Sequence, residues 1–172
     1  MNPGHPQPNE YGAFFAGYLA RAQGVDDPIA ALELQLDEAL TLLRGLSADQ
    51  QLHRYAPGKW SVKEVVNHLT DTERIFAYRA MRVARNDQTP LAPFDENPYV
   101  VAAEGDSVEW NALLAEFELV RNSSIQLLKN FPGAAWTRMG TADGAAISVR
   151  AMVLLMYGHV AHHVAIVRER YL

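Results

Sequence analysis

Three histidines lie close together near the C-terminus, in the segment Gly158-His159-Val160-Ala161-His162-His163. The residues around them are mostly apolar, so each imidazole needs a polar partner to offset the loss of water. In a helix, residues three or four apart share a face, and His159 can therefore bind a metal ion together with either His162 or His163. Adjacent residues point about 100° apart, so His162 with His163 is the weakest pair.

The apolar pattern favours one of these pairs. A stripe at spacings of three and four runs through the most apolar part of the segment, at Met152, Met156, His159, His163 and Ile166. This stripe predicts that His159 and His163 point inward and that His162 lies beside them. A fourth histidine, His68, stands at the border of a second apolar stripe.

Three neutral imidazoles from two packed helices can bind zinc or nickel and leave at least one coordination position open for water or substrate. An ion in such an open site can lower the pKa of a bound water to about 7, or bind a thiol as thiolate. The spacing alone is equally compatible with separate core histidines, each satisfied by its own partner.

The composition restricts the remaining possibilities. The chain has no cysteine, so any metal site must be built from His, Asp and Glu. A formal charge of -5 argues against sequence-independent binding to nucleic acid, which depends on Lys and Arg. The apolar run Ala151–Gly158 is shorter than the ~20 residues that a membrane span needs. With no secretory signal at the N-terminus, these features predict a cytoplasmic, soluble protein.

Helices must position the histidines, and capping signals mark where four of them begin. These signals are Asp27-Pro28, the capping box Ser61-Val62-Lys63-Glu64, Asp106 with Glu109, and Ser148. Proline, glycine and the end of each apolar stripe mark where they stop. The predicted helices span approximately 28–45, 61–85, 106–131 and 148–170, and the last is apolar nearly all round, which is typical of a buried helix.

Outside these helices, residues 10–22 predict a short N-terminal helix, and residues 86–105, which contain three prolines, predict a long crossover loop. Loops of that length often form lids, so we expect this one to cover or border the metal pocket. Arg79, Arg82 and Arg85 recur every three residues, which predicts an exposed helix face. No segment alternates as a strand does, so the sequence predicts an all-α four-helix bundle at 28–172 after an N-terminal segment at 1–27.

Two motifs resemble a known family. The segment from Trp60 to Arg74, WSVKEVVNHLTDTER, is similar to the signature of the DinB-like superfamily, in its DinB-2 or YfiT-like branch. The resemblance includes Gly158–His163 and covers approximately 29–171. It implies a four-helix bundle with a long crossover connection, and it implies metal ligands at His68, His159 and His163.

The resemblance also implies a metal-dependent enzyme with a small-molecule substrate, either a hydrolase or a transferase that uses a low-molecular-weight thiol. Asp71, three residues after His68, is the candidate general base, because Glu64 is already explained by the capping box. An ion pair with Arg74 is the alternative role for Asp71. A non-catalytic bundle that binds a metal or ligand, and a dimerisation module, are the alternative functions. A homodimer is a candidate assembly.

Overall fold

The computed structural model describes residues 3–172, so Met1 and Asn2 of the N-terminal segment lie outside it. Within this range the chain forms seven α-helices and one β-hairpin. Their bounds are α1 (Ala16–Ala20), α2 (Pro28–Arg44), α3 (Ala48–Leu52), α4 (Val62–Ala84), α5 (Glu96–Ala103), α6 (Trp110–Lys129), β1 (Met139–Ala142), β2 (Ala145–Ser148) and α7 (Val149–Ile166). A π-helical turn, Val167–Tyr171, extends α7.

The four long helices form the predicted bundle, in which α4 packs against α6 and α7, and α2 packs against the same two helices. Helices α4 and α6 run parallel, since Ser61 contacts Asp106 at their beginnings and Arg85 lies over Phe131 at their ends. Parallel neighbours need a connection that returns along the bundle, and residues 85–109 provide it. The predicted crossover is therefore confirmed.

Helix α7 runs antiparallel to α4. The Tyr171 hydroxyl donates to the Trp60 carbonyl beside the start of α4, and Gly140, just before α7, lies against Val83 at the end of α4. This arrangement places the C-terminal half of α7 next to the N-terminal half of α4. His68 therefore comes level with the histidines of α7.

Two apolar clusters fill the two ends of the bundle. A layer of buried polar side chains crosses the bundle between them, with at least one member on each of the four long helices. On α2, Gln35 falls between Leu32 of one cluster and Leu36 of the other. The other members of the layer occupy the same level on their helices: Thr72 and Glu73 on α4, Arg121 on α6, and His159 on α7. Arg121 and Glu73 form an ion pair at 3.0 Å, with side chains 0% and 2% exposed.

Two short elements differ from the sequence prediction. The crossover contains α5, capped by Asp95, whose carboxylate accepts from the Asn97 N–H. The connection before α7 is not irregular but forms the hairpin β1–β2, closed by Asp143-Gly144 with φ angles of 55° and 72°. Positive φ at both turn residues is typical of a type I′ turn. The strands are only four residues long and rich in Gly and Ala, so they lack the alternation that would have revealed them.

Two other predictions about α4 and α6 were wrong. Asp106 does not cap α6; its carboxylate accepts from the Ser61 hydroxyl and from Arg54 instead. Glu109 occupies the cap position without a side-chain hydrogen bond. Arg79 is not on an exposed face, because the crossover covers it and leaves it 3% exposed.

The N-terminal segment packs on α7, and it forms two 3₁₀ turns and the five-residue α1 rather than one helix over 10–22. Its backbone reaches α7 at Gly158. A Cβ at Gly158 would lie 2.1 Å from the Tyr18 carbonyl oxygen, which no real structure allows. Only glycine permits this close approach.

We expect Gly158→Ala to destabilise the protein by about 1–3 kcal/mol, because α1 must move away from α7 to admit the methyl group. Urea unfolding measures the loss, and limited proteolysis reports whether residues 3–27 detach. Gly17→Ala is the matched control on α1, since nothing lies within 4 Å of its added Cβ. Equal stability of the two variants would contradict the close packing at Gly158.

The segment Val149–Tyr171, 23 residues long, has the length and composition of a membrane span. More than half of its most apolar window is buried inside the bundle. The core helix of a helical bundle has the same properties, so this segment is weak evidence for a membrane.

Candidate metal centre

The three predicted ligands converge in the structure. One ring nitrogen of each of His68, His159 and His163 lies within 4.8 Å of the others. The His68 Nε2 and His159 Nε2 atoms are 3.0 Å apart. Tetrahedral zinc, with Zn–N bonds of about 2.0–2.1 Å, holds its ligand atoms roughly 3.4 Å apart. The spacing of the rings therefore fits a single ion.

Each ligand is placed by its helix. The capping box of α4, in which Ser61 and Glu64 each bond to the other's backbone N–H, fixes the start of the helix at Val62. His68 lies six residues later, at the end of the second helical turn. His159 and His163 lie one turn apart on α7, with ring centroids separated by 4.6 Å. The antiparallel packing of α4 and α7 brings the two sets together.

The orientation of the His68 ring is set by a contact on the ring nitrogen that faces away from the other histidines. Its Nδ1 atom lies 3.5 Å from the hydroxyl oxygen of Thr72, one turn further along α4. A partner on one ring nitrogen fixes the tautomer and leaves the lone pair of the other nitrogen free to bind a metal. The His68 Nε2 atom, which faces the other two histidines, is therefore the candidate ligand atom.

Burial keeps the three imidazoles neutral. Desolvation lowers the pKa of His68 to about 4. Desolvation, followed by the neighbouring His68 and His162, lowers the pKa of His163 to about 3. The pKa of His159 is also held well below 6.5, mainly by burial and then by the other histidines. Neutral imidazole is the form that binds a metal ion.

Aromatic rings surround the histidines. Trp60 stacks on His163 at an interplanar angle of 18° and also contacts His68. Tyr18 and Phe76 meet His159 edge-on, with ring centroids 5.5 Å and 6.0 Å away. These rings exclude water from the sides of the site, which strengthens electrostatic interactions inside it.

A cavity of about 360 Å³ opens onto the three histidines. The crossover supplies Phe94 and Glu96 to its wall, so the prediction that this segment borders the metal pocket is confirmed. The other lining residues are Phe14, Phe15, Tyr18, Trp60, His68, Thr72, Phe76, Arg79, Asp143, His159 and His163.

Two other predicted residues lie outside this cluster. His162 is half-buried beside Tyr18 and His163, next to the ligands as expected. Asp71 is paired with Arg74 at 3.5 Å and is not among the described residues that line the cavity. The structure therefore does not bring the candidate base to the histidines.

Two carboxylates that the sequence analysis did not select do line the cavity. Glu96 comes from the start of α5, and Asp143 from the hairpin turn. Local signals existed for both: Asp95 is a good helix cap before Glu96, and Asp143-Gly144 is a common hairpin-turn dipeptide. Neither signal shows that the element packs against the histidines, which only the fold determines.

We expect the metal-free protein to lose stability as the pH falls from 6.5 toward 4. The unfolded chain takes up protons near pH 6.5, whereas His68 stays neutral in the folded state until about pH 4, so acid favours unfolding. Each pH unit in this window costs about 1.4 kcal/mol for each buried histidine. Protons compete with the ion for the same nitrogens, so metal stabilisation fades over the same range.

Urea unfolding at several pH values, with chelator present, measures this loss. His68→Gln removes one of the titrating groups and should flatten the curve. A stability curve between pH 6.5 and 4.5 that is as flat in wild type as in this variant would contradict the burial of a neutral His68.

Comparison with known proteins agrees with this architecture. The family model of the DinB superfamily matches residues 31–167. A protein of Geobacillus thermodenitrificans (strain NG80-2) named "Putative metal-dependent hydrolase" is 28% identical over 156 residues, which are 90% of this chain and 88% of the relative. A second protein of that name, from Geobacillus kaustophilus (strain HTA426), is 27% identical over the same shares of the two chains.

The structure is also similar to that of YfiT from Bacillus subtilis, described as "a probable metal-dependent hydrolase with an unusual four-helix bundle topology". The TM-score is 0.70 at 18% identity, and the match covers 96% of this chain and 90% of YfiT. The likeness establishes the shared fold. With the family model matching most of its length, the chain belongs to the DinB superfamily.

Proposed function

We propose that this protein is a metal-dependent hydrolase of a small molecule and that His68, His159 and His163 hold its divalent ion, zinc or nickel. The observation that carries the proposal is the open cluster at the cavity wall. Within residues 3–172 the cluster comprises three histidines and no carboxylate, so at least one coordination position can face the cavity. Open sites of this kind are catalytic in type, whereas a fourth protein ligand would favour a structural role. The names of the Geobacillus relatives support the same reading.

A divalent ion held by neutral ligands keeps its positive charge and acts as a Lewis acid that activates water at neutral pH. The protein's own residues do the rest. Thr72 holds the His68 ring in its ligand orientation, and Trp60 and Phe76 keep bulk water away from the site. A polar substrate group is then bound in a water-poor cavity, where its contacts are stronger than in bulk solvent.

Glu96 is the group in the cavity best placed to move a proton. It lines both the cavity and an adjoining groove that reaches His163. The pKa of the nearby Tyr18 phenol is raised by burial and by the charge of Glu96, so the phenol stays protonated and can donate a hydrogen bond. We assign Glu96 the general-base role that Asp71 was expected to fill.

The test begins with metal analysis of protein purified without a histidine tag, followed by a hydrolysis screen of small esters, amides and lactones. We expect one divalent ion per chain, loss of hydrolysis with chelator, and its recovery with zinc or nickel. Glu96→Gln should lower kcat by 10²-fold or more while metal content is unchanged. Hydrolysis that survives complete metal removal would contradict the proposal.

Thiol transfer is the second candidate, because a second groove of about 250 Å³ meets the metal cavity. Both spaces are lined by Trp60, Glu96 and His163. The groove, but not the cavity, is also lined by Tyr55 and Lys59. Two spaces that meet at a metal ligand suit two substrates. A low-molecular-weight thiol in the groove would form a C–S bond with an electrophilic carbon in the cavity as the bond from that carbon to its leaving group breaks. The leaving group would depart with the electron pair of that bond, and Glu96 would accept the thiol proton.

Incubating the metal-loaded protein with an electrophile and either glutathione, bacillithiol or mycothiol separates the two reactions. Thioether formation that requires the metal would support transfer, and product release without a thiol would support hydrolysis. Neither reaction with any substrate, together with a closed metal site, would favour the non-catalytic bundle. The homodimer and the cytoplasmic location remain predictions, and sedimentation equilibrium tests the first.

A further inference from the structure

Arg79 is a buried cation in the wall of the metal cavity. Its side chain is 3% exposed, and it lines the same space as the three histidines. Its Nη2 atom donates to the Ala92 carbonyl at 2.6 Å, and its guanidinium lies 5.7 Å from the centre of the Phe94 ring. Both contacts come from the crossover, which holds the guanidinium in place.

These contacts leave most of the guanidinium unused. Arginine has five N–H donors, and the hydrogen bonds of the described residues account for one of them at Arg79. Among those residues Arg79 also forms no ion pair, whereas Arg82 on the same helix is paired with Asp87. A buried arginine is normally paired with a carboxylate, because an unpaired buried charge is costly.

Two carboxylates share the cavity and were considered as partners. Asp143 is exposed in the hairpin turn, and its charge raises the pKa of Arg79 against the larger, opposite effect of burial. Among the described residues, neither Asp143 nor Glu96 forms an ion pair with Arg79. The guanidinium stays protonated near neutral pH and has donors available for another anion.

Between Arg79 and the histidines, the aromatic ring of Phe76 lines the cavity. One face of α4 carries His68, Thr72, Phe76 and Arg79. Arg79 follows His68 by eleven residues, which is about three helical turns and returns the chain to the same side of the helix. His68 and Arg79 are thus about 16 Å apart along the helix axis, and the arginine side chain reaches back toward the histidines. Phe76 lies between them, and Phe15 of the N-terminal segment lies against it with ring centroids 6.5 Å apart.

We infer that Arg79 binds an oxyanion of the substrate, so that the substrate is a small organic acid or phosphate ester with an apolar middle part. Its carboxylate or phosphate lies at Arg79, its apolar part packs on Phe76 and Phe15, and its reacting group lies at the three histidines. This inference rests on the proposed function for the reaction itself, but the anion site can be tested without it.

The test uses the metal-free protein, hexanoate as the probe and hexan-1-ol as the uncharged control compound. In wild type, titration with hexanoate at millimolar concentration should shift the side-chain Nε–Hε NMR resonance of Arg79, identified as the one missing in Arg79→Lys. Arg79→Met should weaken hexanoate binding at least tenfold, or about 1.4 kcal/mol, and leave hexan-1-ol binding unchanged. Arg85→Met is the matched control, since Arg85 is exposed at the C-terminal cap of the same helix. This variant should bind hexanoate as wild type does.

Zinc titration of the same variants keeps the two claims apart. If zinc fails to bind but hexanoate still requires Arg79, the metal proposal falls and the anion site stands. If zinc binds but hexanoate binds equally to wild type and Arg79→Met, the anion site is overturned. Hexanoate that does not shift the Arg79 resonance of wild type also overturns it, and this reading does not depend on Arg79→Met being folded.

Discussion

Zinc in 1,000-fold excess over its Kd is expected to raise the free energy of unfolding of the wild-type protein by about 4.1 kcal/mol. The gain arises because the folded chain brings three imidazoles to one point, whereas the unfolded chain does not. His159→Ala removes the most buried of the three ligands, 5% exposed, and should abolish most of the gain. Thermal and urea unfolding of each variant with chelator, and again with zinc, measures the difference.

His162→Ala is the matched control, because it removes an imidazole from the same helix that lies outside the converging set. It should keep much of the zinc-dependent gain. An equal zinc response in wild type and His159→Ala would contradict the three-histidine site. A loss confined to His162→Ala would show that the wrong pair on α7 had been chosen.

Arg121→Met is expected to lower the free energy of unfolding by about 3–5 kcal/mol, because it leaves the buried Glu73 carboxylate without its counter-ion. Arg121 also donates to Gln35, which in turn donates to the Tyr157 carbonyl, so the pair joins all four helices of the bundle. Urea unfolding at neutral pH measures the loss. The double variant Arg121→Met/Glu73→Met should recover most of it, since replacing a whole buried pair by apolar residues is often neutral or stabilising.

The pH dependence of Arg121→Met provides a second check. Burial already raises the pKa of Glu73, against the opposing effect of Arg121, and removal of the arginine should raise it further. A raised folded-state pKa means that stability is lost as the pH rises above the unfolded value of about 4.5. The variant should therefore be closer to wild type at pH 5 than at pH 8. A loss below about 1 kcal/mol, or a double variant as unstable as the single one, would contradict a tightly buried pair.

The long helices and the inward-facing pair His159 and His163 could be predicted because their signals are local. The capping box at Ser61 and the cap at Asp27 bond to their own helix, and the structure shows both interactions. The stripe that favoured His159 and His163 follows the period of a single helix. That these two histidines converge with His68 could be predicted only from the family resemblance, because spacing within one helix does not determine which helix packs beside it.

What could not be predicted depends on contacts between distant segments. The spacing of Arg79, Arg82 and Arg85 correctly indicates one side of α4, but it does not show that the crossover covers Arg79 alone among them. Asp106 has the sequence features of a helix cap, yet Arg54 and Ser61 provide closer partners in the folded chain. Glu73 and Arg121, 48 residues apart, carry no local sign of pairing.

The measurement that tests the central claim most directly is anomalous X-ray diffraction at the zinc edge, on crystals of untagged protein loaded with zinc. We predict one anomalous peak per chain between His68, His159 and His163, with three nitrogens at about 2.0–2.1 Å and a non-protein ligand on the cavity side. Zinc bound only by surface carboxylates, with the three rings left without an ion, would contradict the claim that these histidines form the metal site.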